Sequence, residues 1–462
     1  MYSHRYIARI ILEAETPLFV GSGESTLLTD AIVQKDAHGF PMIPGTSLTG
    51  VLRHALESDK TEDWNSFFGY QSKKGNKGLG AQIKISSASL LLENGLVAEG
   101  ITPAFNTEKY EELFSDLPVR QHVRIDHKGT AEEHGLFDNE VVYKGCRFVF
   151  DVELKGSEKD NEKWEKFLNE INSPLFRIGQ GTRNGYGKLK VLECKTKTFD
   201  LRLNEDFDAY LNYNISLNAK NNVLQPYRFK TNEKTITHYT LQLVPESFFI
   251  FGAGYGDEEV DAVPVKELVV EYDDKNTLKK PKEYTLIPAT SIKGTLAHRT
   301  AYYYNKSKEY YADNYNDNKF TDYLYSNNEA VYQLFGVKSG DEQRDEGVRG
   351  KVILNDILIA ESEGINNDKI FNHVAIDRFT GGAMDGALFS EKVTYFEDKE
   401  TGINIDVYVE NNIGDEYISA FEKSLIDICK GLLPLGGMTT KGHGIFTGKL
   451  LKNNEIVYDY EN

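Results

Sequence analysis

Cysteine is scarce in this sequence: Cys146, Cys194 and Cys429 lie far apart, and none stands in a CxxC or Cys/His pairing. That spacing argues against a disulfide framework and against a zinc site, and it leaves the three thiols as expected core residues. Long apolar runs are missing too. No stretch approaches the roughly 20 residues that cross a bilayer. The opening MYSHRYIARIILEAE lacks the basic-then-apolar layout of a secretory signal, so a cytoplasmic protein with no membrane partner is expected. Positive charge is in deficit: 53 Lys and Arg against 71 Asp and Glu give a formal charge of −18. A nucleic-acid partner must therefore be met by a local basic surface rather than by the net field. One such stretch is YQSKKGNKGLGAQIK (residues 70–84), with four lysines, Lys73 and Lys74 among them, and no acid.

The 462 residues exceed what one hydrophobic core usually organises, and 40% hydrophobic with 12% aromatic residues predicts a folded chain of two or three domains. What the sequence has in abundance is repetition. IPGTSLTGVLRHA (43–55) returns as IPATSIKGTLAHR (287–299), and around this pair eight blocks recur in one order. The first set is IARIILEAETPLFVG, DAIVQKD, IPGTSLTGVLRHALE, FFG, AQIKISSASLLL, HVRIDHKGTAEEHGLFD, RFVFDVEL and FRIGQGTRNGYGKLKV. The second is TLQLVPESFFIFGAG, DAVPVKE, IPATSIKGTLAHRTAYY, LFG, GKVILNDILIA, HVAIDRFTGGAMDGALF, INIDVYVE and LLPLGGMTTKGHGIFTGKL. An ordered set recurring at this length marks an internal duplication. Each copy alternates apolar strands with two helical stretches, which predicts an α+β chain of two tandem ferredoxin-like βαββαβ domains with helices on one face of an antiparallel sheet. The expected boundaries are 1–195 and 237–462, joined by a polar, irregular linker over 196–236, with insertions at 268–283 and 305–328.

Three blocks carry candidate chemistry. In the first, Pro44 and Gly45 turn the chain, and Thr46 or Ser47 can cap a helix whose apolar side holds Leu48, Val51, Leu52, Ala55 and Leu56. The amides at such a start suit a phosphate. Arg53 and His54 follow a turn later, and Ser291, Lys293, His298 and Arg299 stand in the second copy. An ordinary capped helix with solvated basic residues reads the same block. In the second, GQGTRNGYGK (179–188) and GGMTTKGHGIF (436–446) set glycines beside Arg183 and Lys188, or Lys441 and His443, so that successive N–H groups can converge on an anion. Neither fits a Walker loop, and a tight helix-to-strand connection is the alternative. In the third, HVRIDHKGTAEEHGLFD and HVAIDRFTGGAMDGALF place a strand ahead of a Gly-rich segment with an apolar tip, either a thumb that wedges between bases or a plain hairpin. Its candidate RNA contacts are His122, Arg124, His373 and Arg378. His122, Asp126, His127 and His134 invite a metal reading, but only His122 and Asp126 recur, as His373 and Asp377, which argues against a dedicated transition-metal site.

As an ordered set these blocks resemble the RAMP superfamily of CRISPR systems, and within it the backbone subunits of type III effector complexes. The resemblance implies a modified RNA-recognition-like fold in each half. The helix after IPGTS and the Gly-rich loop would hold guide-RNA backbone, and a protruding thumb (122–138, 373–389) would open the guide–target duplex at intervals. It implies as partners a CRISPR guide RNA, complementary target RNA, other RAMP subunits and a large signature subunit. In family members that cleave, an aspartate six residues before the acidic end of the Val-x-Lys-Asp block is required; here it is Asp30 in TDAIVQKD, matched by Asp261 in VDAVPVKE. An endoribonuclease acting within the assembled complex is thus expected, with a divalent cation, Mg2+ or Mn2+, held by Asp30 and Asp261. RNA supplies its own 2′-hydroxyl as nucleophile, so one carboxylate per site can suffice. Asp30 also reads as a turn-capping residue; Asp261 is crowded by Asp257, Glu258 and Glu259, and the 268–283 insertion lengthens the path from it to IPATS. The alternatives are a non-catalytic guide-holding scaffold and a guide-precursor ribonuclease with His54, His298 or His443 as acid or base. A related end-capping tandem subunit carries a Trp-rich helix after its Ser-x-Lys-Gly turn, where this chain has VLRHALE and TLAHRTA.

Overall fold

The computed structural model describes residues 2–57, 63–72, 77–101, 108–126, 129–230, 236–314, 323–324, 327–337, 347–398 and 401–461. Lys73, Lys74 and His127 lie outside the described residues.

In unit 1 the alternation in HRYIARIILEA sends Tyr6, Ala8, Ile10 and Leu12 of β1 (His4–Ala14) into the core. The chain continues through α1 (Gly45–Glu57), β2 (Ile83–Ile85), a hairpin of β3 (Val119–Ile125) and β4 (Ala131–Glu140), β5 (Arg147–Gly156), α2 (Asn161–Ile171) and β6 (Leu189–Asp200). Antiparallel pairing sets the order β6-β1-β5-β2. This is the ferredoxin-like order, with the β3–β4 hairpin inserted between the second and third core strands. Leu48, Leu52 and Leu56, four apart on α1, are buried, as are Trp164, Phe167, Leu168 and Ile171 of α2. Both helices contribute to one core with the sheet.

Residues 196–230, read from their polarity as an irregular linker, belong largely to unit 1. They hold the end of β6, then α3 (Asn204–Leu211) and β7 (Gln225–Pro226), which pairs with β6. Arg9 explains the attachment: its guanidinium binds Asp151 at 2.8 Å and donates to the carbonyls of Ser216, Leu217 and Ala219. Those backbone acceptors tie the segment to the sheet face opposite the helices.

Unit 2 repeats the plan with β8 (Ile236–Pro245), α4 (Ala289–Ser307), β9 (Val352–Leu354), the hairpin β10 (Ile365–Ile376) and β11 (Ala383–Phe396), β12 (Ile403–Glu410), α5 (Asp415–Cys429), β13 (Phe446–Lys452) and β14 (Glu455–Asp459). The order β9-β12-β8-β13-β14 matches that of unit 1 strand for strand, β14 standing where β7 stands. All three cysteines are buried and free, as expected.

The 268–283 insertion joins the units. Val270 and Leu278 are buried in the unit 1 core, Val270 N–H donates to Lys144 O at 2.9 Å, and Arg147 lies 3.8 Å over the Tyr272 ring. A second weld is charged: Arg120 of β3, its side chain 10% exposed, binds Glu267 at 2.6 Å and Asp356 at 2.5 Å. Burial opposes the Arg120 charge, but Asp356 and Glu267 outweigh it and hold the guanidinium protonated. Among the described residues no helix is long and apolar enough to cross a membrane.

Candidate RNA interface and cleavage site

The loops following β1 and β8 carry the two aspartates of interest. Asp30 and Asp261 are both exposed, and each meets the base of the hairpin in its own unit. In unit 1 the Asp30 N–H donates to Asp138 Oδ1 at 2.7 Å, and the Asp138 N–H donates back to Asp30 Oδ2 at 3.0 Å. In unit 2 the Ser390 N–H and Oγ donate to Asp261 Oδ2 at 2.8 and 2.9 Å, while the Asp261 N–H donates to Ser390 O at 3.0 Å. One step along, Glu140 N–H donates to Ala31 O and Lys392 N–H to Ala262 O, both at 2.9 Å. The two clasps are the same structure built twice. The hydrogen bonds from Ser390 hold the Asp261 carboxyl below the usual carboxylate range.

Both hairpins keep one register, His122 opposite Phe137 and His373 opposite Phe389, and the paired rings stack with centroids 4.8 and 6.1 Å apart. Their distal parts expose Val123, Ile125 and Leu136 in unit 1 and Val374, Ile376 and Leu388 in unit 2, with Phe379 at the second tip 99% exposed. Arg378 is exposed, and Arg124 pairs with Glu132 at 3.3 Å. At the hairpin base His122 Nε2 meets Asn139 Oδ1 at 3.1 Å and the Tyr186 hydroxyl at 2.9 Å; burial, then nearby Arg120, lowers the His122 pKa. Unit 2 replaces Asn139 and Tyr186 by Glu391 and His443, so that His373 and His443 share Glu391 Oε1 at 2.8 and 3.1 Å, all within the base of the hairpin. Each Gly-rich loop is thereby hydrogen-bonded to its hairpin.

The helix starts differ from expectation. Both helices begin at the residue after proline, Gly45 and Ala289, so Thr46 and Ser47 lie inside the first turn, where Thr46 is exposed and Ser47 half-buried. The Gly45 N–H is taken by Ser87 Oγ at 3.2 Å, and the Ala289 N–H by Asp356 Oδ1 at 2.8 Å. The second helix start thus already faces a carboxylate, with Ser291 half-buried in the same first turn.

The predicted cations divide into two groups. Arg183 is occupied by Glu410 at 2.7 Å and Gly350 O at 2.8 Å across the unit boundary; Arg299 by Asp427 at 2.6 Å; and Arg53 by Glu57 at 2.8 Å and Gly69 O at 3.0 Å. His443 is buried on Glu391, and Lys188 pairs with Glu15 at 3.0 Å. Those side chains serve the fold first. Exposed are His54, His298 and Lys441, the last with its ammonium 5.0 Å from the Phe389 ring centre. Lys293 reaches across to Asn184 Oδ1 at 3.1 Å, so the Gly-rich loop of unit 1 and the helix start of unit 2 form one surface; burial, then Arg183, lowers the Lys293 pKa to about 8. A cleft of about 710 Å³ between the units is lined by Lys144, Lys190 and Lys279 beside Glu13, Glu15 and Glu271, and neither Asp30 nor Asp261 borders it. Among the described residues no group of three or more His, Cys, Asp or Glu side chains is arranged to hold a metal by itself.

Residues 11–190 and 246–447 each match the RAMP superfamily. The chain belongs to the RAMP superfamily. The two matched spans lie within the two units just described, and each contains that unit's hairpin and Gly-rich loop. The chain is also similar to the CRISPR system Cms endoribonuclease Csm3 of Methanocaldococcus jannaschii, 27% identical over 214 residues that cover 41% of this chain and 81% of that protein. Most of that relative is therefore matched by a stretch about as long as one RAMP unit. The recurring blocks had led to the loops and hairpins, but not to Asp138, Ser390, Glu391 or Arg120. These differ in residue type from their counterparts Ser390, Asp138, Asn139 and Phe371, so a search for recurrence passes over them.

Proposed function

We propose that this RAMP protein is a guide-RNA-binding backbone subunit of a type III CRISPR effector and cuts complementary target RNA at Asp30, with Asp261 at a second site. The observation that carries the reading is the duplicated clasp: an exposed loop aspartate docked at the base of an apolar-tipped hairpin in each unit. A hairpin that unstacks the target beside a carboxylate creates the conformation cleavage needs, because the 2′-oxygen must come in line with the scissile P–O5′ bond. The 2′-oxygen attacks phosphorus and gives its proton to the carboxylate; the P–O5′ bond breaks, and the 5′-oxygen takes a proton from water. The products carry a 2′,3′-cyclic phosphate and a 5′-hydroxyl.

Mg2+ or Mn2+ is assigned to Asp30 and Asp261: one exposed hard carboxylate per unit, completed by water and substrate phosphate, is an ordinary Mg2+ site. Such an ion would supply charge stabilisation at the phosphate. Guide contacts are assigned to Thr46, Ser47, His54, Ser291, Lys293, His298 and Lys441, with base pairing rather than protein reading target sequence. Other RAMP subunits and a large subunit complete the assembly, in the cytoplasm. Unit 2 is the slower of the two sites in this reading, because the Ser390 hydrogen bonds weaken Asp261 as a base. The assembled complex, given labelled complementary and scrambled targets with Mg2+, is expected to cut only the first and to leave cyclic-phosphate ends; an uncut complementary target contradicts the enzyme reading.

A further inference from the structure

The clasp contains a residue that no motif singled out. Asp138 sits on β4 directly opposite Gln121, at the foot of the hairpin, and among the described residues the two hydrogen bonds it exchanges with Asp30 are the only ones that the Asp30 carboxylate and N–H make. Elsewhere the Asp30 loop is open to solvent: Leu27 is 100% exposed and Leu28 86%. The neighbouring main chain is held by Glu140 N–H on Ala31 O and by bonds between Ser22, Glu24 and Ile32, so what is left to the Asp138 exchange is the placing of the Asp30 N–H and carboxylate. The duplication offers an internal control. At the matching position unit 2 has Ser390, a residue of different charge and size, yet it holds Asp261 in the same place through the same backbone N–H. The side chain changed while the clasp persisted.

We infer that Asp138 is a positioning residue for Asp30, and Ser390 for Asp261: each fixes the loop carboxylate against the foot of the hairpin that distorts the target. This rests on the ribonuclease reading above and adds to it the reason the carboxylate stands where the hairpin can present a phosphate. In Asp138 the working feature is one acceptor oxygen for the Asp30 N–H, not the negative charge. An asparagine retains that oxygen and alanine removes it.

The test uses the assembled complex with wild type, Asp30→Ala, Asp138→Ala and Asp138→Asn, and follows each product band under single turnover at several target concentrations. Asp30→Ala identifies the band belonging to unit 1; if no band depends on Asp30, the ribonuclease reading itself fails. Given such a band, Asp138→Ala is expected to slow it by between about fivefold, one lost hydrogen bond, and about 100-fold, the effect of an ångström of misplacement. Target affinity and the other band should stay within about twofold, as expected for a change confined to one site. Asp138→Asn should restore the rate to within about threefold of wild type, since the acceptor survives. If Asp138→Ala cuts at the wild-type rate, or if Asp138→Asn is as slow as alanine, the positioning role is overturned. The second of these results would assign the carboxylate itself to the chemistry.

Discussion

Unit 1 closes its loop on the hairpin with Asp138 and unit 2 with Ser390; unit 1 ties its Gly-rich loop down through Asn139 and Tyr186, unit 2 through Glu391 and His443. Two backbone donations beneath these side chains coincide, from the N–H of Asp138 or Ser390 to the loop carboxylate and from Glu140 or Lys392 into the alanine after the aspartate, while the aspartate N–H goes to a side chain in unit 1 and to a carbonyl in unit 2. The comparison teaches that the hairpin–loop junction is specified by strand register and main-chain pairing, leaving side chains free to set the charge of each site. Unit 1 presents two carboxylates. Unit 2 presents one, its pKa lowered by hydrogen bonds, with Lys392 close by on Asp257 at 2.6 Å.

The largest effect is expected at Arg120, whose counterpart in unit 2 is Phe371. Arg120→Ala leaves Glu267 and Asp356 buried without their cation and should lower stability by about 3–5 kcal/mol in urea titration. Phe371→Ala, at a half-buried site, should cost clearly less. Equal losses would erase the asymmetry drawn here. Next come the matched glycines Gly185 and Gly442, both at positive φ of 103° and 90°. A Cβ at Gly185 would overlap Asp356 Oδ1, whereas at Gly442 it meets nothing within 4 Å. Gly185→Ala should therefore cost roughly 3 kcal/mol by overpacking, and Gly442→Ala about 1 kcal/mol of backbone strain.

Smaller still is the pH effect of Lys293, which stands where unit 1 has Thr49. Its folded pKa, about 8, lies below the ordinary lysine value, so the unfolded chain binds the extra proton above pH 8 and stability rises with pH from there to about 10. Lys293→Met should flatten that rise in the melting temperature, and Thr49→Met should not. The smallest expected change is in salt dependence. Lys441→Ala should reduce the slope of log affinity for single-stranded RNA against log salt by about 0.7, one phosphate contact. Lys188→Ala should reduce it less, because Lys188 is already paired with Glu15.

The duplicated fold was legible because it rests on local patterns: strand alternation in IARIILEAE, leucines four apart after IPGTS, glycines at turns. The hairpins were legible for the same reason, whereas the loop aspartates were singled out only by what the family resemblance implies. What escaped was set by distant pairing. Arg183 and Arg299 read as RNA contacts because their acidic partners, Glu410 and Asp427, are more than a hundred residues away. The 268–283 insertion read as an extension of the loop path, although Val270 and Leu278 complete the other unit's core. Asp138 and Ser390 escaped because recurrence searching rewards identity, and here geometry was retained without it.

The central claim is that the two loop aspartates are the centres of target cleavage. It is tested most directly by mapping product bands from the assembled complex with Asp30→Ala, Asp261→Ala and both together. The account predicts that Asp30→Ala removes one band by at least about 100-fold, the scale of lost acid–base catalysis, and that the double variant removes every band. Survival of all wild-type bands in the double variant would contradict it.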